Sequence, residues 1–278
     1  MKKIGLDLGG TTIKGALFDD ENNVTRISTQ ATRGQEGRKA IFAALFSLID
    51  GLKTEDVSLI GISSAGNIDP ATGVCVYATD NLLGWTGTDI KREVESRYRI
   101  SCKVDNYAVC ALKGELTFYP AATNVTMLTF GTGVGGASLV NGQILRGKNF
   151  DAARWGHLVL VPGGRACNCG KSGCAESYLS ATALVKRGRE SMPDLADCKQ
   201  LFSLAEAGND KAQAVLEEFG LYLNLLLDNI RTALAPERII LGGGVAKSEG
   251  AILKLLTKKE DVCFARLGDM AGVLGAIQ

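Results

Sequence analysis

One short pattern occurs twice in this chain, about half a chain apart. A predicted apolar strand over residues 4–8 runs into a glycine turn, and a second apolar strand follows over residues 13–18. A predicted strand over residues 127–130 runs into another glycine turn, and a hairpin around Asn141 and Gly142 follows it. Because helical sequence follows each copy, the repeat predicts a duplicated α/β architecture with two domains and a ligand held in a central cleft between them.

Apolar residues recur at helical spacing between and after these turns. The periodicity predicts helices over residues 38–52, 89–98, 108–118, 175–189, 210–234 and 270–277. Asp269 is the predicted N-cap of the last helix, and a buried strand over residues 238–241 leads into a third glycine turn. The length of 278 residues suits two medium-sized domains. We predict an N-terminal α/β domain over residues 1–118 and a C-terminal α/β domain over residues 119–278, with the final helix able to pack back on the first.

The charges of the chain nearly cancel. The 31 Lys and Arg residues and the 30 Asp and Glu residues leave a formal net charge of +1. This balance does not predict the excess of positive charge that is typical of nucleic-acid-binding proteins. Asp7 interrupts the apolar sequence at the amino terminus, which argues against a secretory signal, and no apolar stretch reaches membrane-spanning length. We therefore expect a cytoplasmic protein with a small-molecule ligand, with no nucleic acid or membrane partner, and with its eight cysteines reduced.

Residues 157–174 carry a candidate metal site. The only histidine, His157, stands ten residues before the run Cys-Asn-Cys-Gly-Lys-Ser-Gly-Cys. One imidazole and three thiolates, from His157, Cys167, Cys169 and Cys174, are the ligands of a closed tetrahedral Zn²⁺ site of the structural kind. The alternative is that these residues only pack together or form a disulfide, which the tight spacing and a reducing compartment disfavour.

Three glycine turns each follow a predicted strand. The first, over residues 9–12, comes directly after Asp7, a carboxylate that can hold Mg²⁺ directly or through water. The second, over residues 131–136, has G-x-G-x-x-G spacing, but a hairpin and not a helix follows, so only its bare backbone amides count toward phosphate binding. The third, over residues 242–244, leaves room for a flat adenine. Each turn alone could be a plain hairpin turn, but together they predict a nucleotide site.

The chain resembles the ROK family, which comprises sugar kinases, related open reading frames and repressors. The resemblance covers almost the whole length, and its most specific part is Cys167-x-Cys169-Gly170-x-x-Gly173-Cys174-x-Glu176. The other matching segments are residues 7–11, 65–69, 81–85, 131–136, 156–157 and 241–244. The resemblance implies the actin-like, hexokinase-type (ribonuclease H-like) ATPase fold and a homodimer. It also implies transfer of the γ-phosphate of ATP, with Mg²⁺, to a hydroxyl of a hexose or N-acetylhexosamine.

The resemblance also implies roles for individual residues. The two phosphate loops would be Asp7, Gly9, Gly10, Thr11, Thr12 and Lys14 in one half, and Gly131, Thr132, Gly133 and Gly135 in the other. Part of the adenosine pocket would be Gly242, Gly243 and Gly244. The sugar would contact Gly66, Asn67, Asn81, Asn106, Arg154, His157 and Glu176. The zinc site would hold His157 and Glu176 in place, although Glu176 could instead be a solvated carboxylate at a helix start.

Two positions depart from the family pattern. Family kinases carry Asn-Asp where this chain has Asn106-Tyr107, and that aspartate takes the proton from the attacking hydroxyl. A phenol with an ordinary pKa of about 10 is a poor base at neutral pH, and Asp105 is the nearest substitute. Arg154 stands where relatives have a glutamate that contacts the sugar. It either favours a substrate with a negative or differently placed group or turns outward to pair with an acid.

Three functions follow from these observations. A sugar kinase accounts for the nucleotide turns, the sugar positions and the metal loop together. A binding protein of the same fold, in which Tyr107 closes over sugar or nucleotide, accounts for the missing base. A DNA-binding repressor is disfavoured, because such relatives carry a helix-turn-helix region ahead of the phosphate loop and here Asp7 lies close to the first residue.

Overall fold

The computed structural model describes all 278 residues of the chain. The strands are β1 Lys2–Leu8, β2 Thr12–Phe18, β3 Val24–Ala31, β4 Val57–Ser64, β5 Asn67–Asp69, β6 Val74–Tyr77, β7 Thr88–Asp89, β8 Ser101–Asn106, β9 Val125–Phe130, β10 Val134–Val140, β11 Gln143–Ile144, β12 Arg238–Gly242 and β13 Val262–Phe264. The α-helices are α1 Arg38–Leu52, α2 Ile90–Tyr98, α3 Tyr107–Glu115, α4 Glu176–Leu179, α5 Ala181–Arg189, α6 Cys198–Glu206, α7 Asp210–Leu234, α8 Glu249–Leu255 and α9 Ala271–Gly275.

The chain divides into two compact units. The first unit comprises residues 1–120, 146–152 and 269–278, and the second comprises residues 121–145 and 153–268. A single boundary after residue 118 does not describe this division, because two later segments fold with the first unit. One of them contains α9, whose apolar side chains join a buried cluster with β2.

Each unit contains a five-stranded sheet, and the two sheets have the same topology. The strand order is β3-β2-β1-β4-β8 in the first unit and β11-β10-β9-β12-β13 in the second. In both sheets the first three strands of this order are antiparallel neighbours and the last three are parallel neighbours. The first unit also has a small antiparallel sheet of β5, β6 and β7. The predicted duplicated α/β architecture is therefore confirmed.

Helices cover the first sheet at close range. The periodic face of α1, with Ile41 and Leu45, is buried in one cluster with strand residues such as Leu6. α9 and the residues after it approach the backbone directly, since a Cβ on Gly61 of β4 would clash with the carbonyl of Ala276. Glycine is therefore required where this helical segment touches the sheet, and the close contact holds α9 beside the end of β1.

The longest helix of the second unit has the predicted bounds. α7 spans Asp210–Leu234 and buries Leu223, Leu226 and Ile230 in a cluster that also contains Phe130 of the sheet. Its solvent side is polar apart from a few leucines, as the helical periodicity of the sequence predicts. Neither α7 nor any other helix of the chain combines the length and apolar character that a membrane span requires.

The helix predicted over residues 175–189 is two helices in the structure. Ser180 interrupts it with an extended backbone, and its Oγ accepts a hydrogen bond from the N–H of Ala183 at 3.1 Å, which caps α5. A serine side chain can replace a backbone partner in this way and end one helix where the next begins. Apolar spacing does not register such a cap, so the sequence pattern predicted one continuous helix. Helices α6 and α8 were not among the predicted elements.

Two other predicted boundaries move. Asp269 does not cap the last helix: α9 begins at Ala271 after a short 3₁₀ turn, and the Asp269 carboxylate lies 3.6 Å from Lys14 Nζ. The second glycine turn, predicted over residues 131–136, is shorter in the structure: the hairpin strand that follows it begins at Val134, so the second half of the glycine-rich stretch is strand and not turn. The strand boundary follows from pairing, since Val134 lies opposite Phe130 of β9.

Candidate functional site

The carboxyl ends of three parallel strands bring predicted site residues together in the first unit. Asp7 on β1 lies opposite Ser63 on β4, and Ser63 lies opposite Asp105 on β8. β1 then enters the first glycine turn, and β8 ends at Asn106, directly before Tyr107. Ligands of open α/β sheets bind at this end of the strands. The predicted Mg²⁺ carboxylate and the two predicted catalytic residues therefore share one edge of a sheet.

Three carbonyl oxygens of the first glycine turn accept hydrogen bonds within the protein. The N–H of Gly9 donates to the carbonyl of Thr12 at 3.1 Å, which closes the turn. Thr32 donates twice, from Oγ1 to the carbonyl of Gly9 at 2.7 Å and from its N–H to the carbonyl of Thr11 at 2.9 Å. The side chains of Thr11 and Thr12 remain exposed. This arrangement offers hydroxyl donors at the turn and engages the carbonyls of Gly9, Thr11 and Thr12 within the protein, which suits a phosphate group.

The carboxyl group of Asp7 is enclosed by protein, although the residue as a whole is only partly buried. Ser63 Oγ donates a short hydrogen bond to Asp7 Oδ1, and Gly272 of α9 packs against the same oxygen. Burial raises the pKa of Asp7, and the hydrogen bond from Ser63 and the charge of Lys14 offset it only in part. A cation beside this carboxyl would favour its ionised form, so the group fits a metal-binding role.

Three of the predicted sugar residues lie near this edge in the first unit. Asn81 is adjacent to the first glycine turn, since a Cβ on Gly10 would lie 3.5 Å from Asn81 Cβ. Gly66 has a φ of 101°, a conformation in which other residues are strained. Asn67 follows it as the first residue of β5, opposite Tyr77.

Asn106 uses its side chain to cap α3. Its Oδ1 accepts hydrogen bonds from the N–H groups of Ala108 at 2.9 Å and Val109 at 3.3 Å, and its Nδ2 donates to the carbonyl of Gly66 at 2.7 Å. The amide therefore joins the Gly66 turn to the start of α3, where Tyr107 is the first helical residue. A direct contact between Asn106 and sugar stays a prediction.

Asp105 is held by two cations. Arg146 donates from both terminal nitrogens, at 2.8 Å to each carboxylate oxygen, and Lys113 Nζ donates to Oδ2 at 2.8 Å. Asp105 is 5 % exposed, and burial alone would raise its pKa. The hydrogen bonds and charges of Arg146 and Lys113 outweigh burial and hold the pKa of Asp105 below its usual range. A carboxylate engaged in this way is a weak proton acceptor, so the geometry disfavours Asp105 as the substitute base.

Asp105→Asn is expected to destabilise the protein by about 3 kcal/mol at neutral pH, because it leaves two partly buried cations without their counter-charge. The folded-state pKa is lowered, so the stabilisation is fully present above the unfolded pKa of about 3.9 and is lost as pH falls through the folded pKa. Urea unfolding of both proteins from pH 7 to pH 3 measures the difference, which should shrink only in the acid part of the range. Asp50→Asn removes an exposed pair with Arg97 and should change little; an equal loss in both variants would contradict the assignment.

The second and third glycine turns are neighbours in the second unit. Gly131 donates its N–H to the carbonyl of Gly133 at 2.9 Å, and Gly135 already lies in β10, opposite Thr129. β12 runs parallel to β9 and pairs Gly242 with the same Thr129, so both turns leave the same edge of the sheet. Gly243 has a φ of 86°, and a Cβ there would lie 2.5 Å from the carbonyl oxygen of Phe130. The predicted phosphate and adenosine turns are thus adjacent, and Gly244 follows at the start of a 3₁₀ turn.

The four predicted metal ligands form one cluster. One ligand atom from each of His157, Cys167, Cys169 and Cys174 lies within 4.8 Å of the others. The Sγ atoms of Cys169 and Cys174 are 3.6 Å apart, and Cys167 Sγ is 3.7 Å from His157 Nδ1. Tetrahedral Zn–S bonds of about 2.3 Å place sulfur atoms about 3.8 Å apart, whereas a disulfide needs about 2.05 Å. The donor set therefore fits a four-coordinate metal ion and not a disulfide.

His157 can serve both roles that the sequence predicts for it. Its Nδ1 faces the thiol of Cys167, which leaves Nε2 on the other side of the ring. Burial, followed by the positive charge of Arg154, lowers the pKa of His157 and keeps the imidazole neutral, as a metal ligand must be. A neutral ring bound through Nδ1 carries its proton on Nε2, where it can donate to a hydroxyl.

Glu176 joins the metal loop to the second glycine turn. It is the first residue of α4, two positions after Cys174. Its Oε2 accepts a hydrogen bond from the N–H of Val134 at 2.8 Å and lies against Gly133. Glu176 is therefore half-buried and bonded, which differs from a solvated carboxylate at a helix start.

Arg154 directly precedes the 3₁₀ turn Trp155–His157. Its side chain is partly buried and forms neither a hydrogen bond nor an ion pair, so the alternative that it pairs with an acid is not observed. Its charge acts on the neighbouring His157. A contact between Arg154 and the sugar stays a prediction.

A comparison with protein families decides the affiliation. The ROK family model matches residues 3–278. The chain belongs to the ROK family. A glucokinase of Halalkalibacterium halodurans is 31 % identical in an alignment that is 307 residues long with its gaps. The alignment covers 98 % of this chain and 92 % of the relative. An N-acetylmannosamine kinase of Salmonella arizonae is 27 % identical in an alignment that is 287 residues long with its gaps. That alignment covers 99 % of this chain and 97 % of the relative.

Solved structures of ROK kinases have the same fold as this chain. A ROK hexokinase from Thermus thermophilus has a TM-score of 0.81 at 30 % identity, covering 100 % of this chain and 97 % of that one. A ROK glucokinase from Streptomyces griseus, solved with glucose and AMPPNP, has a TM-score of 0.85 at 28 % identity, covering 100 % and 98 %. The actin-like ATPase fold implied by the sequence resemblance is thereby confirmed.

Several site residues were not predicted. Ser63, Lys113 and Arg146 surround the two aspartates, and Thr182 donates a hydrogen bond to the second glycine turn. No spacing rule marks them, since their partners are eight to 56 residues away. A strand register for β1, β4 and β8 would have placed Ser63 between Asp7 and Asp105.

Proposed function

We propose that this ROK protein is an ATP-dependent sugar kinase that transfers the γ-phosphate of ATP to a hydroxyl of a hexose or N-acetylhexosamine. The observation that carries the proposal is the contact of Glu176 with the second glycine turn, where Oε2 accepts the N–H of Val134 at 2.8 Å. A carboxylate suited to sugar hydroxyls lies there beside backbone amides suited to phosphate. The named relatives act as glucokinase and N-acetylmannosamine kinase, which supports the same substrate class here.

The nucleotide contacts that we propose follow from the turns. Asp7 would hold Mg²⁺, directly or through water, and the hydroxyls of Thr11 and Thr12 would contact phosphate oxygens. The positive charge of Lys14 lies close enough to Asp7 to lower the pKa of that carboxyl group. In the nucleotide complex it would neutralise phosphate charge. The AMPPNP found in the Streptomyces griseus glucokinase supports an adenine nucleotide as the phosphate donor.

We assign the metal cluster to structural Zn²⁺. Three thiolates and one imidazole leave no open coordination position, which separates a structural site from a catalytic one. The ion would supply no chemistry of its own to phosphate transfer. His157 and the residues that follow Cys174 would be fixed by it, so that Nε2 of His157 and the carboxylate of Glu176 keep their orientation toward a sugar.

Tyr107 sets the expected rate of this kinase. It occupies the position of the family base, and Asp105 is held by Arg146 and Lys113. Phosphoryl transfer depends mainly on positioning and electrostatic stabilisation, so loss of the base costs about 10²- to 10⁴-fold and not all activity. We therefore propose slow turnover. A sugar- and nucleotide-binding protein without turnover is the second candidate, and the same engaged Asp105 favours it.

Release of ADP from ATP and Mg²⁺, measured with a panel of hexoses and N-acetylhexosamines, tests the proposal. Calorimetric binding of AMPPNP and of each sugar is measured in parallel. The kinase predicts ADP release that requires one of the sugars and exceeds the rate without sugar. Binding of both ligands without turnover would favour the second candidate, and binding of neither would reject both.

We also propose that the chain forms a homodimer, as the resemblance implies. Leu221 and Leu225 stand one turn apart on α7 and are 65 % and 40 % exposed, which is unusual for leucines of a folded helix. Light scattering after gel filtration measures the mass of the protein in solution. We expect twice the mass of one chain, and the mass of a single chain would contradict the homodimer.

A further inference from the structure

Residues 176–182, which follow the metal loop, hold the second glycine turn by three hydrogen bonds. Glu176 Oε2 accepts from the N–H of Val134 at 2.8 Å. The N–H of Ala181 donates to the carbonyl of Gly131 at 2.8 Å, and Thr182 Oγ1 donates to the carbonyl of Thr132 at 2.9 Å. One short segment of chain therefore contacts both ends and the middle of the turn.

These bonds occupy the carbonyl groups of the turn and leave two amides open. The carbonyls of Gly131 and Thr132 accept from residues 181 and 182, and the carbonyl of Gly133 accepts from Gly131. The N–H groups of Thr132 and Gly133 have no partner within the chain. Thr132 is exposed and Gly133 is partly buried, so both amides are accessible from outside the chain. Successive open amides of a turn form a concavity that suits an anion such as a phosphate group.

The hydroxyl of Thr182 fixes the direction of one of these open donors. The carbonyl of Thr132 and the N–H of Gly133 belong to the same planar trans peptide group and point in opposite directions. A bond that holds the carbonyl toward Thr182 therefore aims the N–H of Gly133 away from α5. Without it, the peptide group can rotate and present a carbonyl oxygen where a phosphate oxygen would bind.

We propose that Thr182 is a positioning residue for the nucleotide, which orients the Gly133 amide toward the phosphates of ATP. The inference rests on the proposed kinase function, because it requires the second glycine turn to bind phosphate. Thr182 is exposed at the second position of α5, after the Ser180 cap, so its replacement leaves the core and the helix cap unchanged.

Thr182→Val removes the hydroxyl at nearly constant volume, and Thr182→Ser retains it. Thr232→Val is the matched control, since Thr232 is also exposed on a helix and donates through Oγ1 to a carbonyl, that of Asp228, at 2.9 Å. The affinity for AMPPNP with Mg²⁺ is measured by calorimetry, and the KM values for ATP and for sugar are measured separately.

Thr182→Val is expected to bind AMPPNP about fivefold more weakly and to raise the KM for ATP by the same factor, which is the effect of one lost hydrogen bond. The KM for sugar should not change, and Thr182→Ser should restore the nucleotide affinity and the KM for ATP. Unchanged nucleotide affinity in Thr182→Val, or equal weakening in Thr232→Val, would overturn the role of Thr182 alone. A native chain that binds no AMPPNP would overturn the proposed function, and the role of Thr182 with it.

Discussion

Tyr107→Asp is expected to raise kcat for sugar phosphorylation by about 10²- to 10⁴-fold, because it supplies a carboxylate at the position where, as we propose, the native chain has no base. Tyr107 is the first residue of α3, at the sheet edge that also carries Asp7. An aspartate there should be accommodated, because a negative charge in the first turn of a helix is favourable and the Asn106 cap is retained. The initial rate of ADP release at saturating sugar and ATP measures the gain.

Tyr107→Asn is the matched control for this gain. Asparagine has the size of aspartate but does not accept a proton, so its kcat should stay at the native level. The kcat of Tyr107→Asp should also rise with pH as its carboxyl group ionises, and the native protein should lack that limb. If the aspartate and asparagine variants were equally fast, relief of steric hindrance by Tyr107 would explain the gain, and the missing base would not.

Removal of the metal is expected to have the largest effect on stability. Cys174→Ser should reduce the zinc content from about one ion per chain to almost none and lower the thermal unfolding temperature by roughly 10 °C or more, because the proposed ion would join His157 to the loop of residues 167–174, which has little apolar core of its own. Affinity for sugar should fall with it, since His157 and Glu176 lose their fixed orientation. Elemental analysis and thermal unfolding by circular dichroism measure both effects, and a chelator should reproduce them in the native protein.

Cys263→Ser is the control for the metal experiment. Cys263 lies in β13, outside the ligand cluster, so this variant should retain one ion and nearly the native unfolding temperature. A native preparation that is free of metal and equally stable would contradict the structural role of the cluster. Loss of zinc in both cysteine variants would point to a general effect of thiol replacement.

Local sequence patterns predicted those parts of the fold in which one segment decides its own structure. The apolar periodicity gave the bounds of α1 and α7 because each helix buries one continuous face. It failed at Ser180, where a side-chain cap divides one periodic stretch into two helices. It also left β3 unassigned, because most of that strand is exposed and lacks an apolar face.

Some parts of the candidate site could likewise be predicted from local sequence, and others could not. Asp7, the three glycine turns and the four metal ligands could be found from short spacings, since each feature lies within a loop or at the end of one strand. The state of Asp105 could not be found in this way. Lys113 lies in α3, eight residues after Asp105, and Arg146 lies 41 residues away in a segment that returns to the first unit.

The sequence by itself determined the duplicated strand and glycine-turn pattern, the candidate ligand set of the proposed metal site and the absence of a carboxylate at position 107, because covalent order and backbone preference are sufficient for each of them. Only the tertiary structure decided that Asp105 is held by two cations, that Asn106 caps a helix and that Thr182 donates a hydrogen bond to the second glycine turn. Hydrogen bonds and ion pairs of this kind depend on which distant segments the sheet register and helix packing bring within about 3 Å, and no spacing along the chain records that distance.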